Sequence, residues 1–281
     1  MFIPIDFNMN QSLINGEPAT LISVMDRGLL YGDGLFETIA VSAGRATLWS
    51  YHIERLSMGC CSLGIPAPDE SLLLQEMELL MQGVVRGVVK IIITRGGVGR
   101  GYRPSASPSP NRIISLHPWP DYPASWFKEG VVIRLCDTRL GSNPVLAGIK
   151  HLNRLEQVLA RHEWSTPEIY EGLMLDGENR VIEATQSNIF LLNDGVLYTP
   201  DLSSSGVAGT LRRLVIELAN ELAIPLKVGV MTLQQLRNAD ALFLTNAITG
   251  ILPVKQFEEH QYDPSLIPEK LIQRVNKQLR W

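Results

Sequence analysis

Cysteine is scarce: the 281 residues hold three, and two of them are adjacent at Cys60 and Cys61. That number and spacing exclude a disulfide framework and the paired Cys-x-x-Cys ligands of a structural zinc site, and they suit a reducing cytosol. Charge of one sign is also scarce, with 25 Lys and Arg against 29 Asp and Glu and a formal net charge of −4. The electrostatic footprint of a nucleic-acid binder is lacking, so no nucleic acid is expected as a partner. No apolar run approaches the roughly 18 residues that a membrane span requires. The N-terminal MFIPIDFNMN carries no basic segment ahead of an apolar stretch, and the expectation is a cytoplasmic protein without a membrane partner. Aromatic residues make up 7% but hydrophobic residues 45%, enough for one large core or two modest ones.

The common signature motifs fail as well. The glycines of GGVGRG, 96–101, lack GxGxxG spacing, and no Lys-Ser/Thr pair completes a phosphate loop. HEW at His162 is not HExxH, the five histidines are scattered, and no GxSxG occurs. Dinucleotide, P-loop, zincin and α/β-hydrolase chemistry lose support, and no metal is expected.

What is present is periodicity. Ile53, Leu56, Cys60 and Leu63 recur at helical spacing over 50–64, and a second amphipathic stretch covers 69–82. The β-branched runs 88–94 and 112–116 read as strands joined by a Gly-, Pro- and Ser-rich loop. Three prolines in 117–123 (HPWPDYP) mark a boundary near residue 120. Beyond it come a strand at 131–136, a helix over 152–164, an antiparallel meander from 168 to 200, a helix over 210–222, a buried strand at 240–246 and a last helix from near Pro264. The order lacks the regular alternation of a doubly wound sheet, so the class is α+β. The expected division is a small α/β domain, 1–119, and a larger domain, 120–281.

Four features carry chemistry. Lys150, in AGIKHLNRLE, is by residue type an ordinary loop charge, and Glu183, in VIEATQSN, is by default an outward-facing strand residue. GVAGT, 206–210, could be a plain helix start, and Arg55 a solvated helix residue. Taken together, a lysine able to form a Schiff base, a carboxylate for a pyridinium nitrogen, and a helix N-terminus with an arginine for a phosphate are what pyridoxal phosphate requires.

With YGDGLFET (31–38), HIERL (52–56), the Lys150 segment, VIEATQSNIF (181–190) and GVAGTLRR (206–213) in that order, nearly the whole chain resembles the fold-type IV pyridoxal phosphate enzymes. These include branched-chain and D-amino acid aminotransferases and aminodeoxychorismate lyases. ITRGGVGRGY (93–102) and LGSNPVLAGIKHLNRLEQVLARH (140–162) are most similar to the bacterial lyases. The branched-chain enzymes carry a tyrosine where this chain has Leu155, and the Arg-x-His pair of the D-amino acid enzymes reads Arg100 and Tyr102 here. An aminotransferase of either type is the alternative.

The resemblance implies a two-domain, D-amino acid aminotransferase-like fold whose larger, β-barrel-like domain carries the Schiff-base lysine. It implies pyridoxal 5′-phosphate as cofactor, 4-amino-4-deoxychorismate as the small-molecule substrate, and a homodimer. Lys150 is then base and cofactor anchor, and Thr38 a catalytic hydroxyl. Glu183, Arg55, Thr210, Leu211, Asn246 and Ala247 hold the cofactor, while Arg100, Tyr102 and Tyr31 hold the substrate.

Overall fold

The computed structural model describes residues 11–97 and 101–281. The chain divides into two compact units, residues 1–120 with Lys150–Asn153, and Asp121–Ile149 with Arg154–Trp281.

The first unit contains β1 (Gln11–Ile14), β2 (Glu17–Pro18), α1 (Arg27–Tyr31), β3 (Gly34–Ser42), β4 (Arg45–Ala46), α2 (Trp49–Leu63), α3 (Glu70–Leu80), β5 (Arg86–Thr94) and β6 (Asn111–His117). Its six strands form an antiparallel sheet in the order β2-β1-β6-β5-β3-β4. The two-residue period of β3 and β5 sends Leu35, Ile39, Ile91 and Ile93 into the core. The apolar stripe of α2, with Ile53, Leu56 and Cys60, packs against β3. Asp26 caps α1 by accepting the Gly28 N–H at 2.7 Å, and Gly32, at φ 65°, ends the helix.

The Lys150 segment groups with this unit rather than with the larger one in which the sequence reading put it. At Gly34–Phe36 the edge of β3 away from β5 is open, and residues 150–152 occupy it. The Phe36 N–H donates to the Lys150 carbonyl (2.9 Å), and the Leu152 N–H donates to the Gly34 carbonyl (3.0 Å). Leu35 and His151 form an antiparallel bridge. This extended pairing is also why the helix expected over 152–164 is confined to Leu155–Arg161.

The second unit contains α4 (Ala124–Glu129), β7 (Val131–Leu140), α5 (Leu155–Arg161), β8 (Ile169–Asp176), β9 (Val181–Ala184), β10 (Asn188–Asn193), β11 (Val196–Pro200) and α6 (Thr210–Glu221). There follow β12 (Leu226–Gly229), α7 (Leu233–Arg237), β13 (Ala241–Asn246), β14 (Gly250–Phe257), β15 (His260–Gln261), a 3-10 turn (Pro264–Leu266) and α8 (Glu269–Leu279). One mixed sheet runs β12-β11-β10-β13-β14-β7-β8-β9, with β15 paired to β14. Its two ends meet: the Val181 N–H donates to the Met231 carbonyl (2.9 Å), and Arg180 bridges Thr232. The sheet is thus curled toward a barrel around Ile133, Leu173, Ile189, Leu244, Leu252 and Phe257. The meander expected over 168–200 is instead two hairpins. β8 pairs with β9 and β10 with β11, but β10 takes β13 as its other neighbour. The break is the turn 185–187, which carries the chain from one end of the sheet to another row.

Candidate active site

In the first unit β3 presents chemistry on both faces. Toward α2, Glu37 is 1% exposed. Its carboxylate accepts from His52 Nδ1 at 2.6 Å and from Arg55 Nε at 2.8 Å. Burial alone would raise the Glu37 pKa, but the Arg55 charge and the His52 hydrogen bond outweigh it and hold the carboxyl at about 2. Burial pushes the His52 imidazole below its ordinary range despite the hydrogen bond to Glu37. Arg55, the expected phosphate ligand, is therefore clamped in orientation by Glu37.

On the opposite face stand Phe36 and Thr38. Lys90 is the cross-strand partner of Thr38, and its Nζ lies 5.3 Å from the centre of the Phe36 ring. Lys150 Nζ lies 4.4 Å from the same ring. One aromatic ring thus carries two lysine ammonium groups, with a threonine hydroxyl in the adjoining position of the strand. Lys90 was not singled out from the sequence. The period-two pattern of VVKIIIT is the signal that could have found it, since a lysine amid β-branched residues must face away from the core.

Tyr31 ends α1, and its ring centre lies 5.4 Å from that of Tyr102. Arg27 stacks on Tyr31 at 4.9 Å and donates to the carbonyls of Gly101 (2.9 Å) and Tyr102 (3.0 Å), tying the end of the long loop to α1. Tyr102 is 85% exposed. Arg100 lies outside the described residues.

In the second unit Glu183 is buried on β9. Its Oε2 accepts from the Val207 N–H (2.8 Å) and from Asn188 Nδ2 (3.4 Å), and the same Asn188 amide donates to the Val207 carbonyl (2.8 Å). The loop ahead of α6 is held from its other side. The Gly148 N–H donates to the Gly206 carbonyl (2.9 Å), and the Ala208 N–H donates to the Gly148 carbonyl (3.1 Å). Gly206, at φ 82°, is required twice, because a Cβ there would also stand 2.8 Å from Ile182 and 3.3 Å from the Glu183 carboxyl carbon.

α6 then opens at Thr210 and Leu211 with Gly209 as N-cap and no side chain capping it, which leaves a helix N-terminus suited to an anion. Arg212, in the first turn, donates to Thr199 Oγ1 (3.1 Å) and to the Pro200 carbonyl (2.8 Å). Asn246 Oδ1 accepts the N–H groups of Ile248 and Thr249, both at 2.8 Å, and its Nδ2 donates to Ser187 Oγ at 3.1 Å. The Asn246 side chain therefore shapes the turn that carries Ala247. Ser205 Oγ and Thr245 Oγ1 are buried without a hydrogen-bond partner, a cost that a bound polar group would remove. A fixed carboxylate, a bare helix N-terminus and orphaned hydroxyls fit a group that bears a protonated ring nitrogen and a phosphate.

This α+β fold and the relatives of the chain define an enzyme class. The family described as amino-transferase class IV matches residues 34–257, and the chain belongs to that family. It is 39% identical to an aminodeoxychorismate lyase of Vibrio harveyi over 86% of this chain and 89% of that protein. The crystal structure of the 4-amino-4-deoxychorismate lyase from Pseudomonas aeruginosa is 45% identical, covers 96% of this chain and 100% of its own, and superposes with a TM-score of 0.92. A putative branched-chain-amino-acid aminotransferase of Methanocaldococcus jannaschii is 32% identical over 92% of this chain and 88% of that protein.

Proposed function

We propose that the protein is a pyridoxal 5′-phosphate-dependent carbon-oxygen lyase that converts 4-amino-4-deoxychorismate to 4-aminobenzoate and pyruvate, a step of folate biosynthesis. The observation that carries this reading is the face of the first unit where Lys150 and Lys90 share the Phe36 ring beside Thr38. An amine for proton transfer, a second cation and a hydroxyl suit a substrate with two carboxylates and a proton to lose. The likeness to the Vibrio and Pseudomonas lyases supports the same assignment. A homodimer is part of the reading, supported by the exposed Leu21, Val24, Met25, Leu29 and Leu30 of the first unit.

Lys150 would hold the cofactor through its amine, and Glu183 would face the pyridine nitrogen and keep it protonated. Arg55, the first N–H groups of α6 at Thr210 and Leu211, and the turn with Asn246 and Ala247 would take the phosphate. When bound, pyridoxal phosphate supplies an electron-withdrawing ring that acidifies the C–H beside the substrate amine.

Lys150 would act as the base that removes the proton from C4 of the substrate ring. The C3–O bond breaks, the ring becomes aromatic as 4-aminobenzoate, and the three-carbon group leaves as enolpyruvate. Enolpyruvate takes one proton at its methylene carbon to become pyruvate, so protons and electrons balance without an oxidant. Thr38 is assigned to orient or relay a proton on that face. Lys90 and Arg100 are assigned to the two carboxylates, with Tyr31 and Tyr102 as hydroxyl donors.

The test is an absorbance spectrum of the purified protein followed by addition of enzymatically generated aminodeoxychorismate. A lysine-bound cofactor band and equal formation of 4-aminobenzoate and pyruvate are expected, and Lys150→Ala should abolish both. Conversion of the cofactor to its amino form by D- or L-amino acids, without those products, would establish an aminotransferase instead.

A further inference from the structure

Three buried carboxylates of the second unit differ in their partners. Asp176 pairs with Arg180 at 2.6 Å, and Glu183 belongs to the site already described. Glu171, on β8, is 0% exposed, and among the described residues no Lys or Arg pairs with it. Its carboxylate accepts from the Thr185 hydroxyl, from the Ser187 hydroxyl (3.2 Å), from the Gly172 N–H (3.3 Å) and from the Gln186 N–H. Three of these four donors belong to the turn 185–187.

That turn separates Glu183 from Asn188, the first residue of β10, whose amide holds both Glu183 and Val207. Ser187 also links the turn to another part of the site. Its hydroxyl gives its single proton to Glu171 and accepts from Asn246 Nδ2, and Asn246 shapes the turn 246–249. An anion satisfies this donor set completely. A protonated carboxyl or an amide would turn a hydrogen toward groups that are already donors, leaving one unmatched.

We propose that Glu171, in its ionised form, is a positioning residue that organises the turn 185–187 and thereby sets Glu183, Asn188 and the turn 246–249 for the cofactor. The proposal rests on the pyridoxal phosphate reading above. Burial pushes the Glu171 carboxyl up to about 7, against the lowering effect of the Thr185, Gly172, Ser187 and Gln186 hydrogen bonds. The titratable groups that face it are Tyr170 on its own strand, Tyr122 ahead of α4 and Cys136 on β7. Burial, and to a smaller degree Glu171 itself, pushes the pKa of each of these upward. They stay neutral near pH 7, while the turn 185–187 brings no titratable group. The hold on the turn therefore strengthens as pH rises through neutrality.

The test compares pyridoxal 5′-phosphate affinity, read from the cofactor's absorption on titration of the full-length protein, for the wild type and Glu171→Gln at pH 6 and pH 8. The variant is expected to bind about tenfold more weakly at pH 8, with the ratio falling toward unity at pH 6, where the wild-type carboxyl is itself protonated. Ser187→Ala keeps the carboxylate and cuts the link to Asn246. It serves if Glu171→Gln does not fold, and is expected to bind severalfold more weakly at pH 8 with little change in melting temperature. A wild type that binds the cofactor, with affinities of the folded variants equal to it or a Gln-to-wild-type ratio that does not change with pH, would overturn the role of Glu171. A wild type that binds no pyridoxal phosphate would overturn the cofactor reading itself.

Discussion

Replacing Glu37 by Gln keeps the volume of the side chain and removes the charge on which Arg55 and His52 converge. The distance between the ordinary glutamate value of 4.5 and the native value of about 2 corresponds to about 3 kcal/mol of stability. The native pKa is depressed, so this contribution is complete above the unfolded-state value and is lost as pH falls through the native one. At pH 7 the variant should be about 3 kcal/mol less stable than the wild type, and at pH 3.5 the gap should narrow to about 2 kcal/mol. Breaking a buried pair from one side costs a similar amount in other proteins, because the cation is left behind without its partner. Urea denaturation of both proteins at the two pH values measures the gap directly, and other carboxylates titrate equally in both and cancel. The reasoning fails if the gap does not change with pH, because an effect of packing alone has no proton to release.

Lys90→Met keeps apolar contact with Phe36 and removes the second cation; KM for aminodeoxychorismate should rise about tenfold with kcat little altered, and an unchanged KM would place the substrate carboxylates elsewhere. Gly34→Ala would set a Cβ 2.3 Å from the Ile93 carbonyl oxygen and 2.8 Å from Leu152 Cδ1. It should cost about 2 kcal/mol by thermal melting and lower turnover by displacing the Lys150 segment; a wild-type melting temperature would refute that crowding.

In the first unit α2, α3, β5 and β6 were legible, and in the second β7, β8 to β11 and β13, because burial repeats along the chain; α1, β3 and β14 were not read from the sequence. Ile53, Leu56 and Cys60 announce α2, and VVKIIIT announces β5. What depends on distant pairing was not legible. Nothing in residues 152–154 reveals that the three residues from Lys150 fill the open edge of β3, and helix propensity there loses to two backbone hydrogen bonds. The hairpin signals over 168–200 were correct locally, but which strand lies beside β10 is decided by β13, some fifty residues later. The site divides along the same line. Lys150, Glu183 and Arg55 could be picked out because together, in that set of motifs, they supply what one cofactor requires, although each charge alone reads as ordinary. Their supports, Glu37, Asn188 and the Gly148 to Gly206 contact, carry no such mark, since a residue that holds another is recognisable only by what it touches.

Glu37 and Glu171 are both buried glutamates, and their opposite surroundings give opposite pH dependence. Glu37 meets Arg55 and is held at about 2, whereas Glu171 meets only neutral donors and rises to about 7. For Glu171 the folded protein binds the proton more tightly than the unfolded chain does. Its favourable contribution is therefore present below the ordinary value of 4.5 and disappears as pH rises to about 7. Relative to Glu171→Gln, which does not titrate, the stability of the cofactor-free wild type should fall by about 3 kcal/mol across that window and then stay level. The mismatched amide shifts the variant's curve by a constant and leaves the slope difference untouched. Urea midpoints at pH 5 and pH 8 decide the matter: parallel changes in the two proteins would mean that Glu171 ionises as readily in the folded protein as in the unfolded chain, so that burial does not raise its carboxyl. A fall confined to the wild type would mean that the fold gives up stability at neutral pH to keep an anion under the turn that places Glu183, a trade of stability for a preorganised site.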